Sequence, residues 1–254
     1  MESISTSLRI IADDLGLHPS INEGIFFLLK NNHIHGASVM VNGEAFEDAV
    51  SKIIEMNLQS QIGIHIVLVE EKSLTGTQFP KNHKTFFIKY ILGLIKKNDI
   101  KKEIDAQVKK YISSGIRPQF LNSHQHLHLL PGIMNMVIET AKENGIKYIR
   151  LVNEPIHGKG KIFRKIQLLF LKFLSGLAKR KLNKAGLESN DVFVGFISAG
   201  NLKESDIQFA KQIKIGIVEL GCHPGFEDEN LRKKYKNWGV YNWQNELGTL
   251  SRHK

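Results

Sequence analysis

The chain has 254 residues, 42% of them hydrophobic and 24% charged, with one cysteine and a formal net charge of +10. That composition supports a sizeable core in one domain, and a single cysteine excludes an intramolecular disulfide framework, making a reducing cytoplasm the default expectation. No run of about 18 uncharged apolar residues occurs, so no transmembrane span is expected, and the opening stretch MESISTSLRIIADDLG reaches its acids too soon for a signal peptide.

Short apolar, often β-branched runs alternate with longer helical patterns. In chain order the expected strands are SLRIIAD, GASVMV, QIGIHIV, PQFLNSH, KYIRLV, VFVGFIS and IGIVELGCH. Helices are expected near residues 21–31, 45–56, 101–114, 132–144, 162–182 and 204–213. Strand followed by helix, repeated, predicts parallel strands joined by helical crossovers. Seven such strands predict an α/β fold: one barrel or barrel-like domain over residues 1–254. Pro131 and Gly132 are expected to start the helix after the fourth strand, since proline suits a first helical turn, and Gly145 to end it.

Polar residues sit at the C-terminal ends of these strands, on the rim where parallel α/β folds build their sites. Asp13 and Asp14 close the first strand. Adjacent carboxylates repel and strands disfavour aspartate, so the plain alternative is a turn or helix cap. If the backbone turns there, one acid can bind a cation while the other faces a substrate. His65 lies within an apolar strand, where a histidine is more often a satisfied core residue. His223 precedes a Pro-Gly turn. The stretch FLNSHQHLHLL places His124, His126 and His128 at alternate positions, nominally on one strand face. The three cannot share one metal with good geometry; His124, still attached to the strand, is the ligand candidate. Two histidines and one carboxylate are a common set for a catalytic divalent ion, and a remaining aspartate and histidine would supply base and acid.

The segment from Lys159 to Lys184 carries nine Lys or Arg and no acid. It has helical periodicity, with Ile162, Ile166, Leu169, Phe170, Phe173 and Leu177 on one face and Lys161, Lys165, Lys172 and Lys179 on the other. The plainer reading packs the apolar face on the barrel. The sharper one rests the helix on anionic lipid, giving peripheral contact with the inner membrane face. No P-loop, zinc-finger spacing or aromatic-basic interleaving points to a specific nucleic acid.

The segments ADDLG, SVMVNG, GIHIVL, NSHQHLHLLP, YIRL, GLESNDVFVGF and ELGCHPG, in this order, resemble the YdjC-like carbohydrate deacetylases. That family includes chitooligosaccharide deacetylases and hopanoid-biosynthesis-associated deacetylases. The resemblance covers most of the chain. It implies a (β/α) barrel related to polysaccharide deacetylases, one divalent cation (magnesium or zinc), and removal of an N-acetyl group from an amino sugar on an oligosaccharide or glycolipid. It is also compatible with a homodimer. Carried over by motif, Asp14, His65 and His124 match the metal ligands, Asp13 the base and His223 a candidate acid, with His126 the second choice. Arg150 matches an arginine near the site that would orient Asp13. His126, His128 and Asn42 are expected around the cation or against substrate. Asn122 stands where the family often has aspartate. The family usually continues past the last residues present here with a helix and strand, so a barrel left open at its C-terminal end is expected.

Three other readings compete. A nucleophilic hydrolase would use Cys222 with His223 or Ser123 with His124, but neighbours on a strand point to opposite faces and no G-x-S-x-G elbow occurs. A glycan-binding module without turnover would keep the site residues for recognition. A phosphate-transfer or nucleic-acid role would rest on the basic segment alone.

Overall fold

The computed structural model describes residues 6–157, 162–236, 238 and 241–253. Strand β1 (Ser7–Leu15) is followed by α1 (Pro19–Lys30), β2 (Gly36–Val39), α2 (Phe46–Glu55) and β3 (Ile62–Ile66). Two helices, α3 (His83–Ile91) and α4 (Lys97–Ser113), then lead to β4 (Phe120–Ser123). After it come α5 (Ile133–Glu143), the short β5 (Tyr148–Ile149), α6 (Ile162–Ala185), β6 (Val192–Val194), α7 (Glu204–Gln212) and β7 (Ile217–Cys222). Helices α8 (Glu229–Lys234) and α9 (Trp243–Ser251) complete the described order.

The seven strands among the described residues pair in parallel, in the order β5-β4-β3-β2-β1-β7-β6. Helical crossovers cover the sheet, so β2, β3 and β4 are buried on both faces. Ile10, Ala12, Val39, Ile64, Leu121, Val194 and Leu220 belong to one continuous core. The sheet curls far enough that its edges approach. Tyr148 of β5 bridges to Glu188, just before β6, and Asn190 bonds both the N–H and the C=O of Leu151, at 2.7 and 2.8 Å. The barrel is incomplete, as expected: the described sheet is a curled half-barrel with edges at β5 and β6, and α9 packs against α1.

Three local expectations change. Pro131 stays outside α5; the cap is Gly132, whose φ of 91° suits glycine. The fourth strand stops at Ser123, and residues 124–129 form a tight 3₁₀ segment in which Gln125 and His126 adopt φ of 53° and 55°. Finally, the apolar face of α6 does not lie on the barrel. Leu168, Leu174, Ala178 and Leu182 are buried, whereas Ile162, Ile166, Leu169, Phe170, Phe173 and Leu177 are exposed. The first residues of the basic segment, 159–161, lie outside the described residues.

Candidate metal centre

Asp13 and Asp14 share one rim because the backbone breaks its alternation between them. The register of β1 against β2 shifts between Ala12 and Leu15, and Asp14 has φ of 68°. That left-handed conformation is strained for a non-glycine residue, and such strain collects at functional sites. Both carboxylates are buried.

Asp14, His65 and His124 each offer one ligand atom, and these atoms lie within 4.8 Å of one another. Asp14 Oδ1 is 3.4 Å from His65 Nε2 and 3.5 Å from His124 Nδ1. At those lengths the contacts are electrostatic rather than good hydrogen bonds. Among the described residues neither Asp14 oxygen has a hydrogen-bond partner, and neither does His65 Nε2.

The tautomer of His65 follows from its neighbours. Asn122 Nδ2 donates to Asp13 Oδ1 at 3.0 Å, which leaves Asn122 Oδ1 to accept from His65 Nδ1–H at 2.6 Å. Nε2 is then a bare lone pair aimed at a carboxylate. Two buried acceptors facing each other repel unless a cation lies between them. Burial holds the His65 pKa down to about 4 despite Asp13 and Asp14, so the ring is neutral, as a ligand must be.

His124 is held from the opposite side. Its Nε2 donates to Glu70 Oε2 at 2.8 Å, leaving Nδ1 toward Asp14. Burial alone would depress His124, but the Asp14 and Glu70 carboxylates lift it to about 10. The cluster thus holds an excess of negative potential that a cation would neutralise. Glu70 has φ of 75° and supplies the carboxylate that fixes the ring. Glu70→Gln is expected to weaken divalent-ion affinity by about 10–100-fold, measured by titration of the cation-free protein. Unchanged affinity would remove Glu70 from the site.

Asp13 lies beside this group rather than in it. Ser38 Oγ donates to Oδ1 at 2.7 Å, and Arg150 Nη1 donates to Oδ2. Burial would raise its carboxyl, but Arg150 above all, with His65, holds it far below the usual carboxylate range. Arg150 is itself buried and also bonds Glu219, which accepts from Tyr148 Oη at 2.7 Å. Half-buried His223 stands across the site: its Nδ1 has no partner, and its backbone N–H donates to Glu246 Oε2 at 2.5 Å.

The remaining expected residues separate. His126 packs edge-on to Phe193, with ring centroids 5.8 Å apart. Burial, then Arg150, pushes its pKa well below the usual value. His128 is interior, with Nδ1 on Ser123 Oγ at 2.7 Å and Nε2 on the Arg150 carbonyl at 2.8 Å. Asn42 bonds the Lys72 carbonyl and Glu103, not the aspartate–histidine group. Cys222 is buried and its thiol is pushed well up by that burial, the wrong environment for a nucleophile.

Sequence reading missed Glu70, Glu219, Glu246 and the aromatic wall. Trp238 lies 4.8 Å from the His124 ring, and Tyr241 lies 5.2 Å from His223. Glu70 follows an apolar strand as Asp13 does, and Glu219 interrupts one; both signals stand in the sequence.

The fold and the motifs both have known counterparts. An Enterococcus faecalis crystal structure, of a protein named for a proposed cellobiose-phosphate cleavage, superimposes with a TM-score of 0.71 at 18% identity, covering 97% of this chain and 90% of that one. A carbohydrate deacetylase of Xenopus laevis is 27% identical over 256 residues, 86% of this chain and 81% of that protein. A carbohydrate deacetylase of Clostridium beijerinckii is 33% identical over 159 residues, 58% of this chain and 62% of that protein. The sequence model of the YdjC-like protein family matches residues 7–254, and the chain belongs to that family.

Proposed function

We propose that this chain is a hydrolase that removes the N-acetyl group from an acetylated amino sugar, carried on an oligosaccharide or a glycolipid. The observation that carries the reading is the convergence of ligand atoms from Asp14, His65 and His124, of which the Asp14 oxygens and His65 Nε2 have no hydrogen-bond partner among the described residues, next to an arginine-held carboxylate. Relatives named carbohydrate deacetylase support the substrate class. Asp14, His65 and His124 would hold one divalent cation; two imidazoles favour zinc or another transition ion over magnesium. When bound, such an ion supplies a Lewis acid that polarises the amide carbonyl and lowers the pKa of water.

The protein's own groups do the rest. Asp13 takes the proton from the attacking water. Arg150, Ser38 and Asn122 fix its direction, at the cost of lowering its basicity. The amine leaves only if protonated, and His223, whose Nδ1 is unengaged among the described residues, would give that proton. Trp238, half-buried beside His124, offers an aromatic face on which a sugar ring can pack.

Acetate release from N-acetylglucosamine oligomers, assayed with and without a chelator, tests the reading. Release that the chelator abolishes and added zinc or magnesium restores is the expected result. Sugar binding with no acetate from any acetylated sugar would leave a binding module instead.

A further inference from the structure

Two helices that flank the site turn apolar side chains to solvent. On α6, Ile162 is 76% exposed and Phe173 63%; on α3 and the turn after it, Ile91 is 62% and Leu94 67% exposed. The helices meet where the Phe87 and Phe170 rings lie 5.7 Å apart and Lys84 Nζ lies 5.7 Å from the Phe163 ring. The exposed residues therefore form one surface. Monomeric proteins rarely leave contiguous apolar patches of this kind uncovered without a function.

The chemistry around the patch selects what covers it. From Lys72 to Asn98 there are six lysines and no acid; from Pro155 to Leu187 there are nine Lys or Arg and no acid. Lys81, Lys84, Lys89, Lys96, Lys97, Arg180, Lys181 and Lys184 are exposed. A two-fold contact with a second copy would set this acid-free surface against itself. An anionic bilayer complements it in both respects: lysines meet headgroups, and the Phe, Ile and Leu side chains enter the acyl boundary. No described helix is long and apolar enough to cross a membrane, so the contact is peripheral.

The surface also adjoins the candidate metal centre. His83, the first residue of α3, is 3.9 Å from Glu70, the partner of His124. Arg164 of α6 lies 4.7 Å over the Phe196 ring, which packs 5.8 Å from His126. We propose that α3 and α6 together form a docking surface for anionic lipid bilayers, which sets the mouth of the site against the membrane.

Co-sedimentation with phosphatidylcholine vesicles, with and without phosphatidylglycerol, tests this without any assay of turnover. The wild-type chain should pellet with the phosphatidylglycerol vesicles, and high salt should release it. Lys84→Gln combined with Lys89→Gln should weaken binding about 10–100-fold, at about tenfold or less per charge. Ile91→Glu combined with Phe173→Glu should abolish it. These positions are solvent-facing, and circular dichroism verifies the fold; Leu92→Glu serves if either apolar replacement fails to fold. The proposal falls if wild type ignores phosphatidylglycerol vesicles, if it binds neutral vesicles equally well, or if the folded Glu variants bind as wild type does. It also falls if wild type is a dimer that the Glu variants dissociate and no vesicle is bound, since a second copy would then cover the patch. Hydrolysis of soluble sugars should be unchanged in all these variants, so failure of the deacetylase reading and failure of this one are separately visible.

Discussion

Asp13→Asn should lower turnover of an acetylated amino sugar by about 10²–10⁴-fold while divalent-ion stoichiometry stays at the wild-type value. Asp13 lies beside the ligand triad, and Asn122, Ser38 and Arg150 direct it with three hydrogen bonds. All three partners donate. An amide at this position has only one accepting atom, so either Arg150 or the Ser38–Asn122 pair would face an N–H instead. The variant should therefore melt below wild type, because Arg150 is buried and loses one of its two carboxylates. Elemental analysis separates that cost from loss of the ion. Full turnover in Asp13→Asn, on a substrate that wild type hydrolyses, would remove Asp13 from proton transfer.

The same three donors bear on pH. Arg150 holds the Asp13 carboxyl far below the ordinary range, so it stays ionised at any pH at which the fold survives. Loss of activity on acidification must then come from another group.

Much of the fold was legible in the sequence because its signals are local. Apolar runs of strand length, separated by helical periodicity, dictate seven parallel strands, and those strands pair. The polar residues at strand ends were legible for a related reason: a carboxylate or imidazole closing a buried strand conflicts with its surroundings. What escaped is what depends on long-range packing. The alternation of His124, His126 and His128 assumed a strand, but the left-handed residues Gln125 and His126 turn the chain and send the three rings to different neighbours. Helix α6 is apolar on two sides, and periodicity cannot say which side meets the sheet. Helix α3 was missed although Asn82 caps it through Thr85 N–H, a signal available in KNHKT. Glu219 reads as an oddity within IVELG until Arg150 and Tyr148 arrive from β5 and its end.

Asp14→Ala should abolish binding of the divalent ion, and the size of its effect on stability should depend on whether the ion is present. In wild type, an ion at about 100 times its dissociation constant adds about 2.7 kcal/mol of stability; in the variant the same addition should leave the melting temperature unchanged. Without the ion the variant should still melt below wild type, by a smaller margin. Cation-free, Asp14 and Glu70 together lift the His124 pKa to about 10, so the imidazole carries a proton and pairs with the Asp14 carboxylate at 3.5 Å. That pairing outweighs burial and holds the Asp14 carboxyl below its ordinary range. Removing one member of a buried ion pair is destabilising. Should the ion stabilise Asp14→Ala as much as it stabilises wild type, or should the variant still bind one equivalent of zinc, Asp14 belongs to the scaffold and the three converging side chains are not a metal centre.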